Sequence, residues 1–299
     1  MPLVSPRARV IIDNDFSGDP DDLFQTAHHL LSPSVEVPLI VASHLSVGDP
    51  WDPTTMQATN ATARVNELLS VMGMGGQVKV LTGSEVGILD GKTPQVSAAT
   101  EAIIAEAMRD DKRPLYYAAG AGLTELASAW LMEPRIAERL TLVWIGGHEH
   151  PGLALPPPGS TGPEYNLRID IPAGQVVFND SAIPIWQVPR NVYRQFLFTH
   201  AEMETQVRPH GPLGAYLANS IEKVMRWTGE MGRNIGETYA LGDSPLVTLT
   251  ALQSSFEADP SSSSYLIRPA PKLDAQGSYL DNPAGRPIRI YTDLRGLTA

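Results

Sequence analysis

Val10-Ile11-Ile12-Asp13-Asn14-Asp15-Phe16-Ser17-Gly18-Asp19-Pro20-Asp21-Asp22 is the stretch on which the fold turns. Its first three residues are an apolar, β-branched run, as expected of a strand buried on both faces. Five aspartates follow within residues 13–22, and a helical pattern over 22–31 begins at the last of them. A strand that ends in carboxylates and turns into a helix opens a βα unit. So many like charges repel one another unless something positive sits among them. The helix N-terminus supplies a partial positive charge. A hard cation supplies more, because Ca²⁺ and Mg²⁺ take carboxylate oxygens. The plainer alternative is a solvated acidic loop with one aspartate capping the helix. The density of charge, its place after a strand and Gly18 in the turn favour metal binding or catalysis.

The same alternation continues outward. Further strand patterns lie at 35–43, 78–81, 115–118, 140–145 and 183–188, and helical patterns at 54–72, 96–109, 123–132 and 172–178. A last strand is expected at 288–292. Near-continuous apolar strands alternating with helices predict one α/β domain over residues 1–299, a mostly parallel central sheet flanked by helices. In such sheets ligands bind beyond the carboxyl ends of the strands, so the polar residues after each strand are the candidates. Residues 151–163 (PGLALPPPGSTGP) read as a long loop over that crevice, because the pattern resumes after them. Residues 261–264 read as a short polar turn.

Composition narrows the function. The 299 residues include no cysteine, which removes disulfides, thiolate metal sites and cysteine nucleophiles. A net charge of −11, from 22 basic and 33 acidic residues, argues against nucleic-acid or anionic-membrane partners. No apolar run approaches the roughly 20 residues needed to cross a bilayer. The first ten residues carry no apolar signal core. A soluble, cytoplasmic protein is expected.

Further segments along the chain carry recognisable motifs. They are Asn60-Ala61-Thr62-Ala63-Arg64, Lys79-Val80-Leu81-Thr82-Gly83, Gly120-Ala121-Gly122-Leu123-Thr124-Glu125 and Trp144-Ile145-Gly146-Gly147. Glu164-Tyr165-Asn166 with Asp170, and Asp243-Ser244-Pro245-Leu246, complete the series. In this order, over nearly the whole chain, they resemble the nucleoside hydrolase family, of the inosine-uridine preferring kind. Its members cleave the N-glycosidic bond of ribonucleosides with the help of Ca²⁺. Asp13, Asp15, Asp21 and Asp22 match the four aspartates of its N-terminal signature, with a spacer two residues longer than usual.

The resemblance implies a nucleoside or related riboside as substrate and Ca²⁺ as cofactor. It implies Asp15, Asp22, the backbone carbonyl of Gly120 and Asp243 as ligands, all hard oxygens. Asp21 would be the base that takes a proton from the water the ion activates. Glu164 and Asn166 would hold ribose hydroxyls, and the surrounding carboxylates would stabilise an oxocarbenium-like sugar. His44 stands where the family usually has Asn and can still donate to a sugar hydroxyl. Gly242 replaces the histidine that, in some members, protonates the departing base. His148 and His150, after the fifth strand, are the rim candidates for substrate contact or proton donation, and His-Glu-His also suits a transition metal. Trp51, Trp227 and Tyr239 are candidate base-stacking residues, while His28 and His29 read as structural.

Two other classes compete. Asp13-Asn14-Asp15 with the late segment at 242–244 resembles a haloacid-dehalogenase-like phosphatase, which would form an aspartyl-phosphate. Against it, Phe16 stands where a small hydroxylated residue is expected, and the late motif lacks its second aspartate. A non-catalytic ribose- or nucleoside-binding protein is the second, although binding alone needs no base at Asp21. A homo-oligomer is the default for a soluble enzyme.

Overall fold

A computed structural model describes residues 4–233, 235–253 and 263–294. The opening strand, β1 (Ala8–Asn14), runs past its apolar centre because Asp13 and Asn14 are buried and hydrogen-bonded. Then α1 (Asp21–Leu31), β2 (Val35–Ala42), α2 (Gln57–Val71), β3 (Val80–Thr82), α3 (Ala98–Ala107), β4 (Leu115–Ala119), α4 (Thr124–Met132) and β5 (Thr141–Ile145) alternate. Two short helices, α5 (Tyr165–Ile169) and α6 (Ile171–Gln175), lead to β6 (Ile185–Val188). After it come α7 (Arg190–Tyr193), β7 (Leu197–Thr199), α8 (His200–Glu202), α9 (Gly211–Glu230), β8 (Thr238–Ala240) and α10 (Ser244–Thr250). The described chain closes with β9 (Ser263–Pro269), β10 (Lys272–Leu273), β11 (Tyr279–Leu280) and β12 (Pro287–Leu294).

Eight strands form the central sheet in the order β3-β2-β1-β4-β5-β6-β12-β9. All neighbours are parallel except the edge pair β12–β9. The chain steps outward from β1 through β2 to β3, then returns to β4 on the other side of β1. Strand order therefore reverses between β1 and β4, and a crevice opens where their connections diverge. The two faces explain the continuous apolar strands. Ile11 points into a core with Ile103 of α3 and Leu126 of α4, whereas Val10 and Ile12 point into another with Leu23 of α1, Val65 of α2 and Leu246 of α10. Truncating any such buried side chain to alanine costs about 2–5 kcal/mol, so both helical layers are held firmly to the sheet.

Several details differ from expectation. The helix expected over 172–178 stops at Gln175 and continues as a wider π turn through Asp180. Ser263 and Ser264 begin the edge strand β9 instead of forming a turn, while Ser261 and Ser262 lie outside the described residues. α9, at twenty residues the longest helix among the described residues, has no counterpart among the expected helices. No helix among the described residues is long and apolar enough to cross a membrane.

Candidate active site

Beyond the carboxyl ends of β1 and β4 the topology gathers the aspartates. Asp15 lies one residue past β1, a tight turn closes with the Gly18 N–H donating to the Asp15 carbonyl at 2.6 Å, and α1 starts at Asp21 and Asp22. Gly120 directly follows β4. Its N–H is shared between the Asp13 carbonyl at 3.0 Å and Asn14 Oδ1 at 3.1 Å. Asp243 precedes α10 and lies against Gly120, so closely that a Cβ at position 120 would sit 2.2 Å from Asp243 Oδ2. Any side chain at 120 would therefore displace the Asp243 carboxylate. The Asp243 N–H donates to Asp21 Oδ2 at 3.2 Å, and oxygens of Asp21, Asp22 and Asp243 lie within 4.8 Å of one another.

Electrostatics single out three atoms. Asp15 Oδ2, Asp22 Oδ2 and Asp243 Oδ2 are buried and receive no hydrogen bond. An unsatisfied buried acceptor costs about 1–3 kcal/mol, and more when charged. Burial, reinforced by the neighbouring carboxylates, pushes Asp15, Asp21 and Asp22 well above the usual carboxylate range. Burial lifts Asp243 to about 7. A hard cation among them reverses that direction and satisfies the free oxygens, so the donor set fits one. Asp13 is different. Its carboxylate accepts from the hydroxyls of Ser43 and Tyr117, and burial raises it to about 6 against those two bonds. It braces β1 between its neighbours.

A cavity of about 210 Å³ opens on this cluster, lined among others by Asp15, Asp21, Gly120, Gly242 and Asp243. Glu164 and Asn166 line it too. Glu164 caps α5, with Oε2 accepting from the N–H groups of Gly147 at 2.7 Å and Leu167 at 3.1 Å, and Oε1 accepting from the Tyr193 hydroxyl at 2.6 Å. Asn166 Nδ2 donates to the Ile145 carbonyl at 2.8 Å. Of the three aromatic candidates, Trp51 lines the cavity and lies against Trp227, ring centres 4.8 Å apart. Tyr239 instead donates its hydroxyl to Asp19 Oδ2 at 2.6 Å.

None of the three candidate histidines is among the residues lining this cavity. At Gly147 the backbone is left-handed (φ +82°), and a Cβ there would lie 2.1 Å from the Tyr279 hydroxyl. His148 and His150 beyond it both face the ring of Tyr279, at 5.2 and 5.1 Å. His148 Nε2 is 3.2 Å from the Gly277 carbonyl and His150 Nε2 is 2.8 Å from Gln187 Oε1. His44 is buried with Nδ1 3.1 Å from the Ser84 carbonyl. His29 is structural, bonded to Gln25 and Thr250 inside the fold.

Residues outside the expected set also line the cavity: Asp19, Tyr165 and Tyr193. Asp19 was visible as a member of the aspartate run. Tyr165 sits inside the Glu-Tyr-Asn segment, where its hydroxyl donates to Asp49 Oδ2 at 2.9 Å. Tyr193, at the end of the short helix after β6, obeys the strand-end rule but belongs to no motif.

A largely parallel α/β sheet with a buried acidic cluster at its switch point, able to hold a cation, defines the class as an α/β fold with its ligand crevice at the strand ends. The model of the inosine-uridine preferring nucleoside hydrolases matches residues 10–273, and the chain belongs to that family, hydrolases acting on N-glycosyl compounds. No curated protein matches it in sequence. Among solved structures it is similar to a plant nucleoside hydrolase, PpNRh1, at 18% identity and a TM-score of 0.72, covering 97% of this chain and 96% of that one. A purine-preferring ribonucleoside hydrolase from Gardnerella vaginalis is similar at 18% identity and a TM-score of 0.72, covering 96% and 93% of the two chains. The type III effector XopQ, solved in complex with adenosine diphosphate ribose, is similar at 14% identity and a TM-score of 0.62, covering 97% and 88%.

Proposed function

We propose that the chain is a Ca²⁺-dependent N-ribohydrolase that releases ribose and a heterocyclic base from a ribonucleoside or related N-riboside. The observation that carries this reading is the trio of buried, unpartnered oxygens on Asp15, Asp22 and Asp243 beside Asp21. Those three carboxylates and the Gly120 carbonyl would hold the ion. Bound there, Ca²⁺ supplies charge that acidifies a nearby water and anchors vicinal hydroxyls. Asp21 takes the proton from the attacking water, a role favoured by its place among the ligand carboxylates and in the cavity lining. Glu164 and Asn166 hold the sugar hydroxyls, with Glu164 fixed by its three donors and Asn166 by its bond to Ile145. As the C1′–N bond stretches, the ribose gains positive charge that the carboxylates around it stabilise. A cytoplasmic homo-oligomer belongs to the same reading, by the default for soluble enzymes, and sedimentation in solution tests the assembly.

The test is a panel of purine and pyrimidine ribonucleosides assayed for reducing sugar, with Ca²⁺ and with chelator. Release that requires Ca²⁺ is expected. Tight nucleoside binding with no sugar released at saturating Ca²⁺ would replace the enzyme by a binding protein on the same scaffold.

A further inference from the structure

We propose that the preferred substrate of this site is a riboside whose heterocycle is cationic, a pyridinium or an N-alkylated purinium, which departs neutral without being protonated. The inference rests on the N-riboside hydrolysis proposed above and names its substrate class.

The first ground is charge. The described residues lining the cavity include five carboxylates, on Asp15, Asp19, Asp21, Glu164 and Asp243, and no lysine, arginine or histidine. A divalent ion held by Asp15, Asp22 and Asp243 leaves its own ligand set with a net negative charge. Asp19, Asp21 and Glu164 line the same cavity. In a crevice with low-dielectric walls such a field selects positive ligands.

The second ground is that the tyrosine hydroxyls at the cavity are engaged and position 242 offers no side chain, so neither supplies a proton to the departing base. The hydroxyls of Tyr165, Tyr193 and Tyr239 donate to Asp49, Glu164 and Asp19. Burial, together with those carboxylates, holds each phenol proton in place and pushes all three groups up. Gly242 has no side chain, and a Cβ there would already lie 3.1 Å from Asp21 Oδ2 and 3.3 Å from the ring of Tyr193. The third ground is Trp51, whose indole lines the cavity braced by Trp227 and offers the aromatic surface a cationic ring favours.

The chemistry balances without a donor. The C1′–N bond breaks and its electron pair passes to the ring nitrogen, cancelling the positive charge of the heterocycle. Water oxygen bonds to C1′ and one water proton goes to Asp21. Ribose and a neutral base leave. A neutral nucleoside, cleaved in the same way, would place an anion in a cavity lined by five carboxylates.

The experiment compares 3-carbamoylpyridinium riboside with inosine and uridine on the Ca²⁺-loaded wild type, each rate divided by its uncatalysed rate. The expected kcat/KM ratio favours the cation by about 10²–10⁴, the contribution a general acid would otherwise make. Binding is read by calorimetry on Asp21→Asn, so that the ligands persist. The 1,4-dihydropyridine riboside, neutral and of similar shape, is expected to bind roughly tenfold more weakly than the cation. Asp19→Asn is expected to narrow the preference. Equal corrected rates with equal binding of the two pyridine forms would overturn the inference and leave hydrolysis standing. Asp19→Asn losing neutral nucleosides while sparing the cation would overturn it by making Asp19 the missing acid. If no riboside of either charge is cleaved, the hydrolase reading fails and the inference with it.

Discussion

Gly120→Ala is the sharpest perturbation of the ion site, because it adds one methyl group and removes no ligand. The backbone at Gly120 is not left-handed, so alanine meets no conformational penalty there. Its Cβ would, however, sit 2.2 Å from Asp243 Oδ2 and 2.7 Å from the other carboxylate oxygen. Ordinary contact begins near 3.4 Å, so the Asp243 carboxylate must withdraw by about 1 Å, a misplacement that typically costs about 10²-fold at a functional site. A 10²-fold weaker Ca²⁺ dissociation constant corresponds to about 2.7 kcal/mol less stabilisation by saturating ion. Calorimetric titration of Ca²⁺, with denaturant midpoints in Ca²⁺ and in chelator, measures both quantities on one protein. The variant is expected to match wild type in chelator within about 1–3 kcal/mol, the usual cost of a crowded core, and to gain far less from Ca²⁺. Wild-type Ca²⁺ affinity in a folded Gly120→Ala protein would refute the assignment of Asp243 and Gly120 as ligands.

Asp21→Asn should keep Ca²⁺ binding and the fold while kcat falls by about 10²–10⁴; an unchanged kcat would take Asp21 out of the reaction. His29 gives the pH dependence. Its pKa is lowered to about 3 by burial, so it folds as the neutral ring. Its contribution is therefore complete above its unfolded value near 6.5 and falls as pH drops toward 3, by about 1.4 kcal/mol per pH unit. The stability difference between wild type and His29→Gln, from urea titrations between pH 7 and 4, should shrink with that slope, and a constant difference would contradict it. His150→Ala should lower the thermal midpoint by removing the bond to Gln187 and leave riboside cleavage unchanged in a reducing-sugar assay; a lost activity would return His150 to the site.

The parallel strands were legible because their apolar runs are buried on both faces, so no polar alternation obscured them. β1 ran longer than its apolar centre for a reason local pattern does not carry. The partners that let Asp13 and Asn14 stay inside are Ser43, Tyr117 and Gln25, distant in sequence or on another element. α9 was legible in principle, since Leu217, Ile221 and Val224 are buried at helical spacing. Its opening Gly211-Pro212 and its internal Gly214 and Gly229 weaken the local helical signal, and packing restores what propensity lacks. The edge strand β9 shows the reverse case. Exposed Leu266 and Ile267 sit beside each other in it, so alternation fails, and its pairing with β12 defines it.

At the site, position after a strand was the informative signal, and it worked where the chain leaves the strand without turning back. Asp15 and Gly120 sit directly beyond β1 and β4, and the reversal of strand order between those two strands brings them together. His148 lies three residues past β5, the left-handed Gly147 intervenes, and His148 and His150 face Tyr279. No periodicity reveals which way a glycine with φ near +82° turns the chain, because the contact that requires it comes from Tyr279, more than a hundred residues later. That one turn has a chemical consequence. With the histidines drawn away and Gly242 bare, the described lining keeps carboxylates and engaged phenols. The capacity to accept a proton from water is then abundant and the capacity to give one to a base is scarce. A site with that imbalance is matched to leaving groups that bring their own positive charge.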